Sequence, residues 1–432
     1  MNPSPNEEYQ AALTWLFSQT RSGAARSPER AARLLRRLEL RAPELTVSVV
    51  GTNGKGSVSA MTAAGLTASG RVTGRFISPH VESFRERVTV DGEPLSEERI
   101  SAFVRQAREL LAAGFGDSGK RPAFFEWTLA LALSEFTRQR AEAAVLEAGV
   151  GGASDATRAV EAVTLVVFTN VDLDHTEALG PTLEAITADK AGAIRPGVPV
   201  VSGVVQPELR AQVAAAAARA GAPLHQMDAG GANDALFKLP SHLESALARS
   251  PTRYLNARLA GATLRLLDVD EAAVTAGLRA PPLPGRGARF LLAGPPRLEV
   301  LLDGAHDPAA ARRLLTEIGD RPYTLLFGAL SRKQGSAVLE VLAHRAGAVV
   351  ITEAQTGDGP VAHHPHRGRF VADPEAALEA AISANPEAGL LVVAGSLYLA
   401  GRIRPLLRER GERLQAPWDE SPPRSTPARA NV

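Results

Sequence analysis

A chain of 432 residues, 45% hydrophobic and of mixed charge, has the make-up of a folded soluble protein with room for two or three ordinary domains. Its formal net charge of +1 provides no basic excess for a nucleic-acid partner. It contains no cysteine, which excludes disulfides, thiolate metal sites and a cysteine nucleophile.

The N-terminus, MNPSPNEEYQAAL, has neither a basic start nor an apolar core, so no signal peptide is expected. No apolar run reaches the ~18 residues of a membrane span, and a cytoplasmic enzyme is the default reading. YQAALTWLFSQ and PERAARLLRRLEL carry apolar residues at helical spacing. LTVSVV is a short β-branched strand that runs directly into GTNGKGS, and VSAMTAAGLTASG then reads as a helix stopped at Gly70. Further buried strands are predicted at 143–149, 162–169 and 198–203, with helices around 124–140 and 181–195. Strands alternating with helices predict an α/β fold, a doubly wound and mostly parallel sheet built around a phosphate-binding loop.

Proline and glycine cluster in LRAPPLPGRGARF, residues 278–290, as at a domain boundary. A second alternation follows it: RLEVLLDGAHD, a helix at 308–318, YTLLFGAL, GAVVITEA and GLLVVAGSLYLAGRIRPLL. These predict an N-terminal nucleotide-binding domain over 1–284 and a smaller, Rossmann-like α/β domain over 285–415. The tail 416–432 is polar, proline-rich and expected to be disordered.

In the loop, Gly51, Gly54 and Gly56 let backbone N–H groups turn toward phosphate oxygens. Lys55 adds positive charge, and the Ser57 hydroxyl suits Mg²⁺. The spacing Gly-x-x-Gly-Lys-Gly-Ser is shorter than the general phosphate-loop pattern. ISPHVESFRERV, VLEAGVGGASDAT and VDLDHTEALGPTLEAITADKAGAIRPG each put polar groups at or beyond the end of a predicted strand, where open parallel sheets bind ligands. Glu147 and His175 could together hold a metal, with Ser57 or Ser78 as oxygen ligands suited to Mg²⁺. Taken singly, a glutamate ending a strand reads as a paired or solvated charge, and a lone histidine as no ligand. The histidine-rich VAHHPHRG, with His363, His364 and His366, reads as a surface loop.

GTNGKGS, SPH, FRERV, FFEWT, EAGVGG-x-x-DAT, LDHT-x-x-LG-x-T, DKAG, DGAHD and GSLYLAG, in this order from about residue 9 to about 410, resemble the folylpolyglutamate synthase family. That family includes the bifunctional dihydrofolate synthases and belongs to the Mur-ligase superfamily of ATP-dependent amide ligases. The resemblance implies transfer of phosphate from ATP to a carboxylate, followed by attack of L-glutamate's amine on the acyl phosphate. Acceptors would be a reduced folate, through its γ-carboxylate, or dihydropteroate.

By the same resemblance, Gly51, Thr52, Asn53, Gly54, Lys55, Gly56 and Ser57 cradle the ATP phosphates, and Asn256 faces the adenine. Arg286 reaches the phosphates, and Asp303 and His306 hold the nucleotide and help place glutamate. Ser57, Ser78, Glu147 and His175 would bind Mg²⁺, and Lys190 would carry a carbamate. Phe124, Phe125, Glu126 and Asp155 are expected on the substrate side. The partners would be small molecules only, the protein a monomer.

Departures from the family pattern are Ala153 in place of arginine, Arg158 in place of asparagine, Asp307 in place of asparagine, Lys333 alone in LSRKQ, and ARSPER without the Asp-Leu-Gly associated with pteroate binding. The first two and the last point away from dihydropteroate more than from glutamate ligation. Rival readings are a peptide-type Mur ligase, which shares the loop and magnesium logic, and a nucleotide-binding switch. The SPH and FRERV stretches favour a folate. A switch would not need DKAG, LDHT and DGAHD together.

Overall fold

The computed structural model describes residues 4–19, 27–115, 121–227, 235–248, 250–293, 297–330, 335–354, 368–385 and 389–413. The histidine-rich loop, Lys333 and the 416–432 tail lie outside the described residues. The chain divides into two compact units. The first comprises residues 1–239 and 252–278, the second 240–251 and 279–432.

The first unit is built on an eight-stranded sheet of order β4-β3-β2-β5-β1-β6-β7-β8. The strands are β1 (Leu45–Val50), β2 (Thr73–Phe76), β3 (Val88–Val90), β4 (Glu93–Pro94), β5 (Ala143–Glu147), β6 (Leu165–Phe168), β7 (Val200–Ser202) and β8 (Leu224–Gln226). From β2 to β8 every pairing is parallel, while β3 and β4 form an antiparallel edge ribbon. That ribbon has no counterpart in the sequence reading, because VTV and EP are too short to show a period.

β1 is buried over nearly its whole length, as expected of a β-branched run covered on both faces. It sits where the chain order reverses, with β5 on one side and β6 on the other. A reversal of this kind opens a crevice at the carboxyl ends of the strands.

The second unit carries a seven-stranded sheet of order β13-β12-β11-β14-β10-β9-β15. Its strands are β9 (Ala288–Leu292), β10 (Leu298–Leu302), β11 (Tyr323–Phe327), β12 (Ala348–Ile351), β13 (Arg369–Phe370), β14 (Leu390–Ala394) and β15 (Gly411–Arg413). β10 to β14 are parallel, and β9 and β15 are antiparallel additions at one edge. Among the described residues no helix is long and apolar enough to cross a membrane.

One buried ion pair ties the helix Pro28–Arg37 to the helix Phe124–Arg138. Arg30, on the helix Pro28–Arg37, donates from Nε and Nη2 to Glu126 at 2.6–2.9 Å, and both groups are buried. The Glu126 carboxylate also accepts from Ala123 N at 2.9 Å, capping the helix Phe124–Arg138. Removing one partner of such a pair strands the other charge. Glu126→Gln is therefore expected to lower unfolding stability by about 3–5 kcal/mol, measured by chemical denaturation. A loss below about 1 kcal/mol would show that the guanidinium finds water or another acceptor.

Candidate active site

The phosphate loop leaves β1 at Gly51 and enters the helix Lys55–Ala68 at Gly54. Gly54 has φ +84°, and a Cβ there would lie 2.4 Å from Asn256 Oδ1. The backbone conformation and the room available thus both demand glycine. The helix has no side-chain cap, so its first N–H groups are left for an anion, and Lys55 and Ser57 stand on its first turn. Asn256 and the loop therefore share one wall.

The loop is held from below by the segment after β6. Thr52 N donates to Asn170 O at 2.9 Å and Asn53 N to Asn170 Oδ1 at 2.8 Å. Thr169 Oγ1 donates to Asn53 O at 2.7 Å, and Asp172 N to Thr52 Oγ1 at 3.0 Å. Sequence reasoning missed Thr169 and Asn170. Their only signal is their place at the end of the strand beside β1.

Two lysines converge on Gly51. Lys55 Nζ donates to Gly51 O at 3.1 Å and to Thr52 O at 3.0 Å. Lys190 Nζ, from the helix Leu183–Ala191, donates to the same Gly51 oxygen at 2.7 Å. Lys190 is only 3% exposed. Burial, reinforced by the neighbouring Lys55 charge, lowers its ammonium to about 7. The helix is pinned to the glycine run after β5: Gly152 N donates to Asp189 Oδ1 at 2.8 Å, and a Cβ on Gly152 would lie 2.4 Å from Lys190 O.

Glu147 ends β5 opposite Val49 of β1, buried and accepting from Ser78 N at 3.0 Å. His175 precedes the short helix Thr176–Leu179 at φ +51°, with Nε2 3.5 Å from Asp174 Oδ2. Among the described residues no group of three or more histidines and carboxylates forms a closed cage. A single buried carboxylate, held by the backbone N–H of Ser78, suits Mg²⁺, which keeps waters and takes phosphate oxygens as ligands.

The remaining expected substrate residues divide. Phe124 and Phe125 begin the helix Phe124–Arg138. Phe124 stacks on Phe17 at 5.3 Å with Arg87 5.1 Å from its ring centre, and Phe125 lies where a Cβ on Gly149 would be, at 2.7 Å. Glu126 is taken up by Arg30. Asp155 is buried, accepting from Val150 N at 3.0 Å, Thr157 N at 2.9 Å and Thr157 Oγ1 at 2.7 Å, and braces the glycine run.

In the second unit, Asp303 follows β10 and accepts from Ala305 N at 2.8 Å. Burial and the charge of Glu317 raise its carboxyl to about 6, against the opposing pull of Arg286. His306 Nδ1 lies 2.9 Å from Gly304 O, and Asp307 caps the helix Pro308–Ile318 through Ala310 N. Gly395, just past β14, donates to Ala305 O at 3.0 Å, so DGAHD and GSLYL meet at the carboxyl ends of adjacent strands.

The family model of the Mur ligase middle domain matches residues 49–195, which hold the loop, Glu147, His175 and Lys190. The folylpolyglutamate synthase of Lacticaseibacillus casei is 31% identical over 84% of this chain and 89% of its own length. A protein of Haloferax volcanii, named a probable bifunctional folylpolyglutamate synthase/dihydropteroate synthase, is 33% identical over 92% of this chain and 50% of its own. The chain thus spans about half the length of that archaeal relative. Among solved structures, the Yersinia pestis bifunctional folylpolyglutamate synthase/dihydrofolate synthase complexed with AMPPNP and Mn ion has a TM-score of 0.77. It is 28% identical and covers 94% of this chain and all of that one.

Gly54→Ala should leave the sheet folded and weaken nucleotide binding at least tenfold, since the new Cβ displaces Asn256 from the loop. Titration with a fluorescent ATP analogue reads this directly. Wild-type affinity in the variant would mean that the loop conformation seen here is not the binding one.

Proposed function

The chain belongs to the folylpolyglutamate synthase family of the Mur-ligase superfamily, and from that premise we propose that it is an ATP-dependent ligase joining L-glutamate to the γ-carboxylate of a reduced folate. The observation that carries this reading is the convergence of Lys55 and Lys190 on Gly51 O, beside Glu147 at the end of the neighbouring strand. A carboxylate cannot expel oxide, so it must first take the γ-phosphoryl group of ATP. The oxygen–phosphorus bond forms as ADP leaves. Two anions meet in that step, and cations with aligned N–H donors offset their repulsion.

On this reading the N–H groups of Gly51 to Ser57 and the Lys55 ammonium hold the triphosphate, with Lys55 leaving its carbonyl partners for phosphate oxygens. Glu147, Ser78, Ser57 and His175 would hold Mg²⁺, which when bound supplies charge neutralisation at the transferring phosphoryl group. Asn256 would bound the adenine side of the loop. By the family resemblance, Arg286 and Asp303 would serve the nucleotide, and His306 would help place glutamate. The glutamate amine then attacks the acyl carbon, phosphate departs and the amine loses its proton. Phe124 and Phe125 would flank the acceptor's aromatic part. The near-neutral net charge suits small-molecule substrates and offers no basic excess for a nucleic acid.

Phosphate release with tetrahydrofolate or dihydropteroate, with and without L-glutamate, followed by product mass, tests the assignment. Tetrahydrofolate is expected to gain one glutamate, with kcat/KM above that for dihydropteroate because Ala153 and the ARSPER stretch lack the family's polar groups. Lys55→Ala should cost about 10²–10³ in kcat. Glutamate-independent release, or product from neither acceptor, would overturn the assignment.

Lys190 carries a second expectation. A buried amine held at about 7 is substantially neutral at physiological pH and can add CO₂, forming an N–C bond and losing a proton. The carbamate would turn a cation beside Lys55 into an anion able to position magnesium or the acyl phosphate. Because the ammonium form resists addition, the modification should grow as pH rises through about 7 and fade below it. Activity restored by bicarbonate after CO₂ stripping, lost in Lys190→Ala and partly rescued by a small carboxylate, is the expected result. Full activity without CO₂ would refute it.

A further inference from the structure

Arg75 lies on β2 in register with Val145 of β5, while Val49 of β1 is in register with Glu147. Register partners in a parallel sheet share a face, and residues two apart on one strand share it too. Arg75, Val145, Val49 and Glu147 therefore lie on one face. It is the face turned away from the helix Phe124–Arg138, because Gly74 on the other side abuts Phe136 of that helix. Arg75 is thus one pleat repeat below the level of Glu147, on the strand next to it. Its Nε is buried and has no hydrogen-bond acceptor among the described residues.

Burial depresses the guanidinium to about 10, and the charges that oppose this are those of Glu147 first and Glu86 second. Glu86 is already committed: its carboxylate accepts from Val81 N, Glu82 N and Ser83 N at 2.8–3.0 Å. Glu147, at the carboxyl end of β5, accepts from Ser78 N. The sequence reading attached no role to Arg75.

We propose that Arg75 is a positioning residue for Glu147, compensating its carboxylate from within the sheet and setting how tightly that carboxylate takes a divalent cation. This rests on the reading of Glu147 as a magnesium ligand. In the nucleotide-free protein a cation must share Glu147 with the guanidinium behind it, so free metal binds weakly. Phosphate oxygens supply the missing negative charge, so metal is retained only in company with the nucleotide. The arrangement favours entry of the metal–nucleotide complex over prior loading with metal.

The test is Mn²⁺ binding to nucleotide-free protein, followed by electron paramagnetic resonance, for the wild type, Arg75→Leu, the longer Arg75→Met and Arg75→Lys. The two neutral variants should bind Mn²⁺ about tenfold more tightly, the scale of one charge acting over several ångströms inside a protein. Arg75→Lys should return toward wild-type weakness. In chelator, Glu147→Gln should lower the Tm of the wild type, because it strands the guanidinium, and lower that of Arg75→Met much less. Unchanged or weaker Mn²⁺ binding in folded neutral variants, with Glu147→Gln still abolishing it, overturns the role of Arg75 and leaves Glu147 as a ligand. Mn²⁺ binding that survives Glu147→Gln overturns both.

Discussion

Two ammonium groups share a single carbonyl oxygen at Gly51, and much of the first unit's chemistry follows from that crowding. Two unit charges about 4 Å apart at an effective dielectric near 20 repel by about 4 kcal/mol. Lys55 stands on the first turn of a helix, and Lys190 is buried. The pair is tolerable in the ligand-free protein because Lys190 gives up part of its hold on a proton. An anion bound at the loop would relieve it further. A site preloaded with positive charge binds and aligns phosphate without reorganising at the moment of transfer.

The scaffold keeps that crowding in place by locating it at the reversal in strand order. β1 delivers the loop, β5 delivers Glu147 one register step away, and β6 delivers Thr169 and Asn170 beneath the loop backbone. Each of these strands is buried, so their ends are fixed by packing and not by the loops they carry. The glycine run after β5 then locks onto the Lys190 helix through Asp189. Four chain segments far apart in sequence thereby reach one loop with little freedom left in their backbones.

How much of this was legible in the sequence depended on how local each signal was. LTVSVV followed by GTNGKGS announces a strand, a phosphate loop and a helix within about twenty residues, and β1, β5, β6 and β7 all fall inside the predicted runs. The β3–β4 ribbon was not legible, because strands of two or three residues carry no period. Neither was the work of Glu126: a glutamate in FFEWT announces nothing about Arg30, which is 96 residues away and joined to it only by folding. The same holds for Asn170, whose side chain reads as a turn residue until the register of β1 against β6 is known. Asn256 was assigned by resemblance alone. Its contact with Gly54 is a fact of packing that spacing cannot express.

Buried charge with incomplete compensation recurs in both units, and that distribution has a physical meaning. In the first unit Lys190 is an enclosed cation and Arg75 a partly exposed one whose Nε is enclosed; in the second Asp303 is a partly exposed acid raised to about 6. Isolated buried charges cost stability, and cores that serve only folding replace them with apolar groups. Arg30 and Glu126 show the alternative within this same chain, a bidentate pair whose hydrogen bonds are made internally. Such incompletely compensated groups, in a chain that closes the Arg30–Glu126 pair internally, are not a general looseness of the fold. They are where a bound ion of opposite charge would gain most from each unit.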